Sequence, residues 1–158
     1  MAKIYTSDPI EFDIGNLESR PSRIDLEFKD VSHGGASFEG RIFINNKRAG
    51  PRTPRTNKSY AGSFFVFGHG GCFGDEGHCD VAGAANLYDR RPEHALTPAF
   101  KRVDVTKAIY DAIKGKKKTD KSAKTFTVTV VPIVTSHNEK CDIENVLRFR
   151  KLTMIAYD

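Results

Sequence analysis

Between Arg23 and Lys29 the chain reads Arg-Ile-Asp-Leu-Glu-Phe-Lys, with every second residue apolar and every other one charged. A two-residue repeat is the period of a β-strand. It predicts a strand with Ile24, Leu26 and Phe28 on a core face and Arg23, Asp25, Glu27 and Lys29 on a wet one. The rhythm recurs. Phe38, Gly40, Ile42 and Ile44 share one face of a second segment, with Ser37, Glu39 and Arg41 opposite, although Phe43 breaks the polarity. A third segment, 59–67, is apolar on both faces towards its end, which predicts burial there. In a fourth, predicted over 125–134, Phe126, Val128 and Val130 alternate with Thr125, Thr127 and Thr129, and β-branched threonines suit the exposed face of a strand. Near the end, Leu147 and Phe149 keep one phase while Leu152, Met154 and Ala156 keep the other, so a bulge is expected at Arg150-Lys151. One helix is predicted over 105–114, with Asp104 or Thr106 at its N-terminus, Ile109 and Ile113 on one face and Gly115 as its stop. Strands joined by loops rich in Gly, Pro and Asn specify an all-β, antiparallel sandwich or barrel with one short helix.

A chain of 158 residues with 39% apolar and 28% charged content can bury a core as one domain. Residues 1–8 lack the apolar core of a signal peptide, and no apolar run could span a bilayer, so a cytoplasmic address and no membrane partner are expected. The charge of +5 raises nucleic acid as a partner. However, the basic residues are dispersed except in two clusters, one holding Lys47, Arg48, Arg52, Arg55 and Lys58, the other Lys114, Lys116, Lys117, Lys118 and Lys121. Both fall in predicted loops without interleaved aromatics for base stacking, so they read as solvated and no nucleic acid is expected. The edge strands of a sandwich leave a homo-oligomer open.

The densest chemistry lies in Gly68-His69-Gly70-Gly71-Cys72-Phe73-Gly74-Asp75-Glu76-Gly77-His78-Cys79-Asp80. Thiolates suit copper(I), which also accepts imidazole, so His69, Cys72, His78 and Cys79 form a candidate metal set, with zinc as the alternative ion. The spacing is not that of a zinc knuckle, and adjacent His78 and Cys79 would point apart on an extended backbone. A Cys72–Cys79 disulfide, two inert thiols, and a thiol nucleophile beside a histidine remain open as well. The three cysteines are an odd number, which weakens a disulfide framework. Asp75, Glu76 and Asp80 lack the spacing of a calcium loop. Phe64, Phe65 and Phe67 end an apolar strand and read first as core, whereas Phe73, inside the glycine loop, is the better exposed plug; Phe67 and Phe73 are the candidate partner-binding residues.

Taken in order, Arg41-Ile42-Phe43-Ile44-Asn45-Asn46, Tyr60-Ala61-Gly62-Ser63-Phe64, the helix opening Val103-Asp104-Val105-Thr106, Thr127-Val128-Thr129-Val130-Val131-Pro132 and a closing strand from Leu147-Arg148-Phe149 to Tyr157 form one series. This series resembles the C-terminal domain of tyrosinases and plant polyphenol oxidases. The likeness covers residues 23–158 and leaves 1–22 as an N-terminal extension. It implies a β-sandwich of jelly-roll type that packs over the copper site of a helical, tyrosinase-like oxidase domain, in cis or in trans. It also implies shielding of that site and, through a cysteine pair, copper delivery. The chain departs from a whole tyrosinase: its five histidines, His33, His69, His78, His94 and His137, are too few for a binuclear copper centre and none forms a helical pair. The expectation is therefore a non-catalytic accessory domain. The alternatives are a structural or interaction module with a zinc- or disulfide-closed loop, and a thiol-dependent enzyme.

Overall fold

The computed structural model describes residues 1–14, 20–68, 98–117, 124–136 and 143–158. Nine strands and one helix follow one another in these residues: β1 (Tyr5–Thr6), β2 (Ile10–Glu11), β3 (Arg23–Val31), β4 (Ser37–Ile44), β5 (Tyr60–Val66), β6 (Ala99–Asp104), α1 (Thr106–Ile113), β7 (Thr125–Phe126), β8 (Val128–Ser136) and β9 (Lys151–Tyr157). Two antiparallel sheets, ordered β1-β8-β4-β5 and β6-β3-β9, pack face to face, and a short β2-β7 ribbon prolongs the β1-β8 pairing. The β4-β5 hairpin stays within one sheet, while the chain changes sheet between β3 and β4, between β5 and β6 and between β8 and β9, and crosses by way of the ribbon strands from β1 to β3 and from β6 to β8. This is the connectivity of a jelly-roll sandwich. The first 22 residues, read as an extension, supply β1 and β2, and Tyr5, Ile10, Phe12 and Ile14 pack on the core.

Alternation decides which side chains meet. Ile24, Leu26 and Phe28 of β3 face Phe38, Ile42 and Ile44 of β4, Phe64 and Val66 of β5, and Val128 and Val130 of β8, all buried. Each such side chain stabilises the fold by about 1.5–3 kcal/mol relative to exposure. The centre is aromatic, with the Phe28 and Phe64 ring centroids 4.8 Å apart and those of Phe28 and Phe149 5.3 Å apart. A Cβ on Gly40 would lie 2.6 Å from the Phe64 ring, so glycine there makes room for the aromatic across the hairpin. Phe43, which breaks the polarity of β4, is fully buried on the outer face. It forms a small cluster with Ala49 and Val131 beneath loop 45–59. Asn45 takes the left-handed conformation at φ 54°, and its side-chain oxygen accepts the Thr127 N–H at 2.9 Å, turning the chain out of β4.

Helix α1 begins at Thr106. The Asp104 carboxylate accepts both the Thr106 N–H at 2.9 Å and its hydroxyl at 2.5 Å, and these bonds hold the Asp104 carboxyl below the usual carboxylate range. The helix ends before Gly115, at φ 79°, as predicted.

Three expectations need correction. The charged face of β3 is not wet: Asp25 is 0% and Glu27 5% exposed, because β3 is the central strand and arginines close over it. The end of β5 is not buried on both faces, since β5 is an edge strand; Phe64 and Val66 point inward while Phe65 is 52% and Phe67 84% exposed. The phase change near Arg150 is not a bulge. Pairing of β3 with β9 runs in unbroken register from Arg23–Tyr157 to Lys29–Lys151, and Leu147 and Phe149 precede the strand, packing on the core from a loop. No helix of the described residues is long and apolar enough to cross a membrane.

Candidate functional site

The thirteen-residue Cys/His segment follows directly on β5, and the described chain fixes where it departs. The Gly68 N–H donates to Ser37 Oγ at 3.0 Å. A Cβ on Gly68 would lie 2.0 Å from the Gly35 carbonyl oxygen, so only glycine fits against the 32–36 connection. On the far side of segment 69–97, Ala99 pairs with Val31, at the other end of that connection. Both ends of the segment thus meet the sandwich at the β3-β4 turn, which carries His33, the one histidine among the described residues. His69, Cys72, Phe73, His78 and Cys79 lie outside the described residues. Among the described residues no group of three or more His, Cys, Asp or Glu could hold a metal ion.

The strands flanking the segment form a distinctive edge. Among the described residues β5 pairs with β4 alone and β6 with β3 alone, so each is an outermost strand of its sheet there. The two edges lie together: a Cβ on Gly62 of β5 would approach Val103 Cγ1 of β6 at 2.9 Å, and Gly62 adopts φ 133°, a conformation open to glycine. Three large rings are exposed along this edge, Phe65 and Phe67 from β5 and its exit, and Phe100, 50% exposed, from β6. Phe67 is the one candidate partner-binding residue that the structure describes. From the sequence Phe65 reads as core and Phe100 carries no signal, although the parity of Phe65 with Phe67, opposite to buried Phe64 and Val66, marks Phe65 as outward-facing.

Two of the rings, Phe65 and Phe100, stand beside ion clusters on the outer faces of the two sheets. On the outer face of β4, Glu39, opposite Phe65 in register, is 3% exposed and bound by Arg41 Nε at 3.1 Å and by an Arg55 guanidinium nitrogen at 2.7 Å. Burial pushes the Glu39 carboxyl up, but hydrogen bonds from Arg55, Arg41 and Ser63 together outweigh it and hold the group below its ordinary value. On the outer face of β3, Arg23 Nε contacts Asp25 at 2.8 Å, while Arg102 reaches Glu27 at 2.9 Å and Asp25 at 3.6 Å. The Tyr157 hydroxyl donates to Glu27 at 3.3 Å. The Arg102 guanidinium also lies 5.5 Å from the Phe100 ring centroid, within cation–π range. Exposed aromatics flanked by immobilised arginines have the composition of an interface core with a polar rim.

No protein-family model and no curated protein sequence matches the chain. Among solved structures, it is similar to a latent aurone synthase (polyphenol oxidase) from natural source, with a TM-score of 0.54 at 16% identity over 98% of this chain. It is likewise similar to a recombinantly expressed latent aurone synthase (polyphenol oxidase), with a TM-score of 0.54 at 14% identity over 99% of this chain. In both cases it spans 24% of the other chain's length. At this identity the likeness shows the sandwich fold.

Proposed function

We propose that this sandwich is a non-catalytic accessory domain of a tyrosinase-like, type-3 copper oxidase, docking on the catalytic domain through the β5-β6 edge. The observation that carries the reading is the exposure of Phe65, Phe67 and Phe100 on and beside β5 and β6, the two strands that flank the Cys/His segment. Fold likeness to about a quarter of a polyphenol oxidase chain supports it, because a domain of that size leaves the oxidase chemistry to the remainder. In this role the rings cover the entrance to the partner's copper site. Phe73 inserts beside them, and Cys72 and Cys79, with His69 and His78, pass copper(I) to the partner.

Two measurements test the two halves of the proposal. Titrating the domain into a type-3 copper oxidase catalytic domain that lacks its own accessory domain should suppress phenol oxidation. The Phe65→Ser/Phe67→Ser variant should suppress it at least about tenfold less well, since exposed aromatics at interface centres contribute about 2 kcal/mol or more. No suppression by either protein removes the shielding role, and equal suppression by both removes Phe65 and Phe67 from the docking surface. Copper(I) stoichiometry of the wild type against Cys72→Ser/Cys79→Ser tests delivery, and equal binding by the two would eliminate it.

A further inference from the structure

At the end of the sandwich remote from the β3-β4 turn, loop 55–60 and helix α1 enclose an open groove of about 1250 Å³. The two basic clusters of the sequence, more than fifty positions apart, meet here: Arg55 and Lys58 line one wall, and Lys107, Lys114 and Lys116 the other, against the two acids Asp104 and Asp111. Both acids are already engaged. Asp111 is paired with Lys107 at 2.5 Å, and Asp104 accepts its bonds from Thr106 at the start of the helix. Arg55 also pairs with Glu39, outside the groove, so with Lys107 paired to Asp111 the positive excess rests on Lys58, Lys114 and Lys116 against Asp104. The backbone bonds from Asn57 to Pro54 and from Tyr60 to Asn57 brace one wall, and the helix forms the other.

We infer that this groove is a docking site for an acidic, extended polypeptide segment of a partner protein. Its volume exceeds the roughly 300–1,000 Å³ of small-molecule pockets, and its cations are spread over two exposed elements instead of converging on one point, which suits a chain of carboxylates better than a single small anion. Its floor includes Ala61, Ala108 and Ala112, side chains short enough to let a main chain lie close. A nucleic acid is disfavoured because the one aromatic ring in the lining, Tyr60, is packed edge-on against Phe43 at 5.7 Å and offers no stacking platform. The groove shares Arg55 and the first residues of β5 with the β5-β6 edge, but none of Phe65, Phe67 and Phe100 lines it, and Lys58 and Lys114 lie outside that edge.

Fluorescence anisotropy of a labelled oligoglutamate peptide with the full chain tests it. The wild type should bind, with affinity falling as salt is added. The Lys58→Glu/Lys114→Glu variant should bind about tenfold or more weakly, while Lys151→Glu, which reverses an exposed charge on β9, should bind as the wild type does. An equal loss in Lys151→Glu would overturn the inference in favour of diffuse charge, as would an absence of peptide binding by the wild type. Oligothymidylate binding more tightly than the peptide, with the same sensitivity to Lys58 and Lys114, would overturn it in favour of nucleic acid.

Discussion

The outer faces of the two sheets both bury carboxylates, yet they neutralise them from different places in the chain. On the β6-β3-β9 face the cations come from strands alone: Arg23 lies two residues before Asp25, and Arg102 on neighbouring β6 serves both Asp25 and Glu27. On the β1-β8-β4-β5 face, Arg41 repeats the two-residue spacing beside Glu39, but the second cation, Arg55, arrives from loop 45–59, which also seals Phe43, Ala49 and Val131. A shared cation makes the first face depend on one side chain. A donated loop makes the second depend on a segment whose own turns must form first.

The sharpest way to break this contrast is Arg102→Ala, which strips a partner from two acids that are 0% and 5% exposed. A loss of about 3 kcal/mol is expected in denaturant unfolding, the lower end for a broken buried pair because Arg102 itself is 43% exposed and water screens it. An unchanged midpoint would mean that solvent reaches Asp25 and Glu27 without the arginine. Arg55→Ala should cost less, about 1 kcal/mol, since Arg41 remains and Arg55 is 53% exposed. Its signature is in the pH dependence. The folded Glu39 carboxyl lies below its unfolded value, so its contribution is present above the ordinary carboxylate pKa and is lost as pH falls through the depressed folded value. Removing Arg55 raises that folded value, so acid unfolding should begin at higher pH; an acid limb that superimposes on the wild type would refute the assignment. The smallest effect is expected from Phe65→Ser and Phe100→Ser, one ring from each face, which should each change stability by no more than about 0.5 kcal/mol. A larger loss for either ring would assign it to the fold and not to a partner.

Period-two alternation made the strands legible because it reports which side chains share a face, and β3, β4, β5 and β8 all follow it. It could not report what covers that face. Asp25, Glu27 and Glu39 read as solvated because the arginines that complete their cover, Arg102 and Arg55, come from a neighbouring strand and from a loop, relations fixed only by the fold. The same limit hid the basic groove: Lys58 and Lys114 are loop residues in sequence, and only the placement of α1 against β5 sets them on facing walls. Phe65 was misread for the converse reason, since its outward side of β5 is left half-exposed whereas Phe43, on the same outer face of the sheet, is sealed by a loop. The Cys/His set, by contrast, was nominated by residue chemistry alone, and what the fold adds is its point of attachment at Gly68.

That attachment has an evolutionary consequence. Because Gly68 and Ala99 are pinned to opposite ends of one short turn, the described strands fix both anchor points of the segment that joins them, and the entropy of closing a loop between two fixed points grows only logarithmically with its length. A lineage could therefore lengthen or shorten the cysteine-bearing segment without moving the two points at which the chain leaves and rejoins the strands.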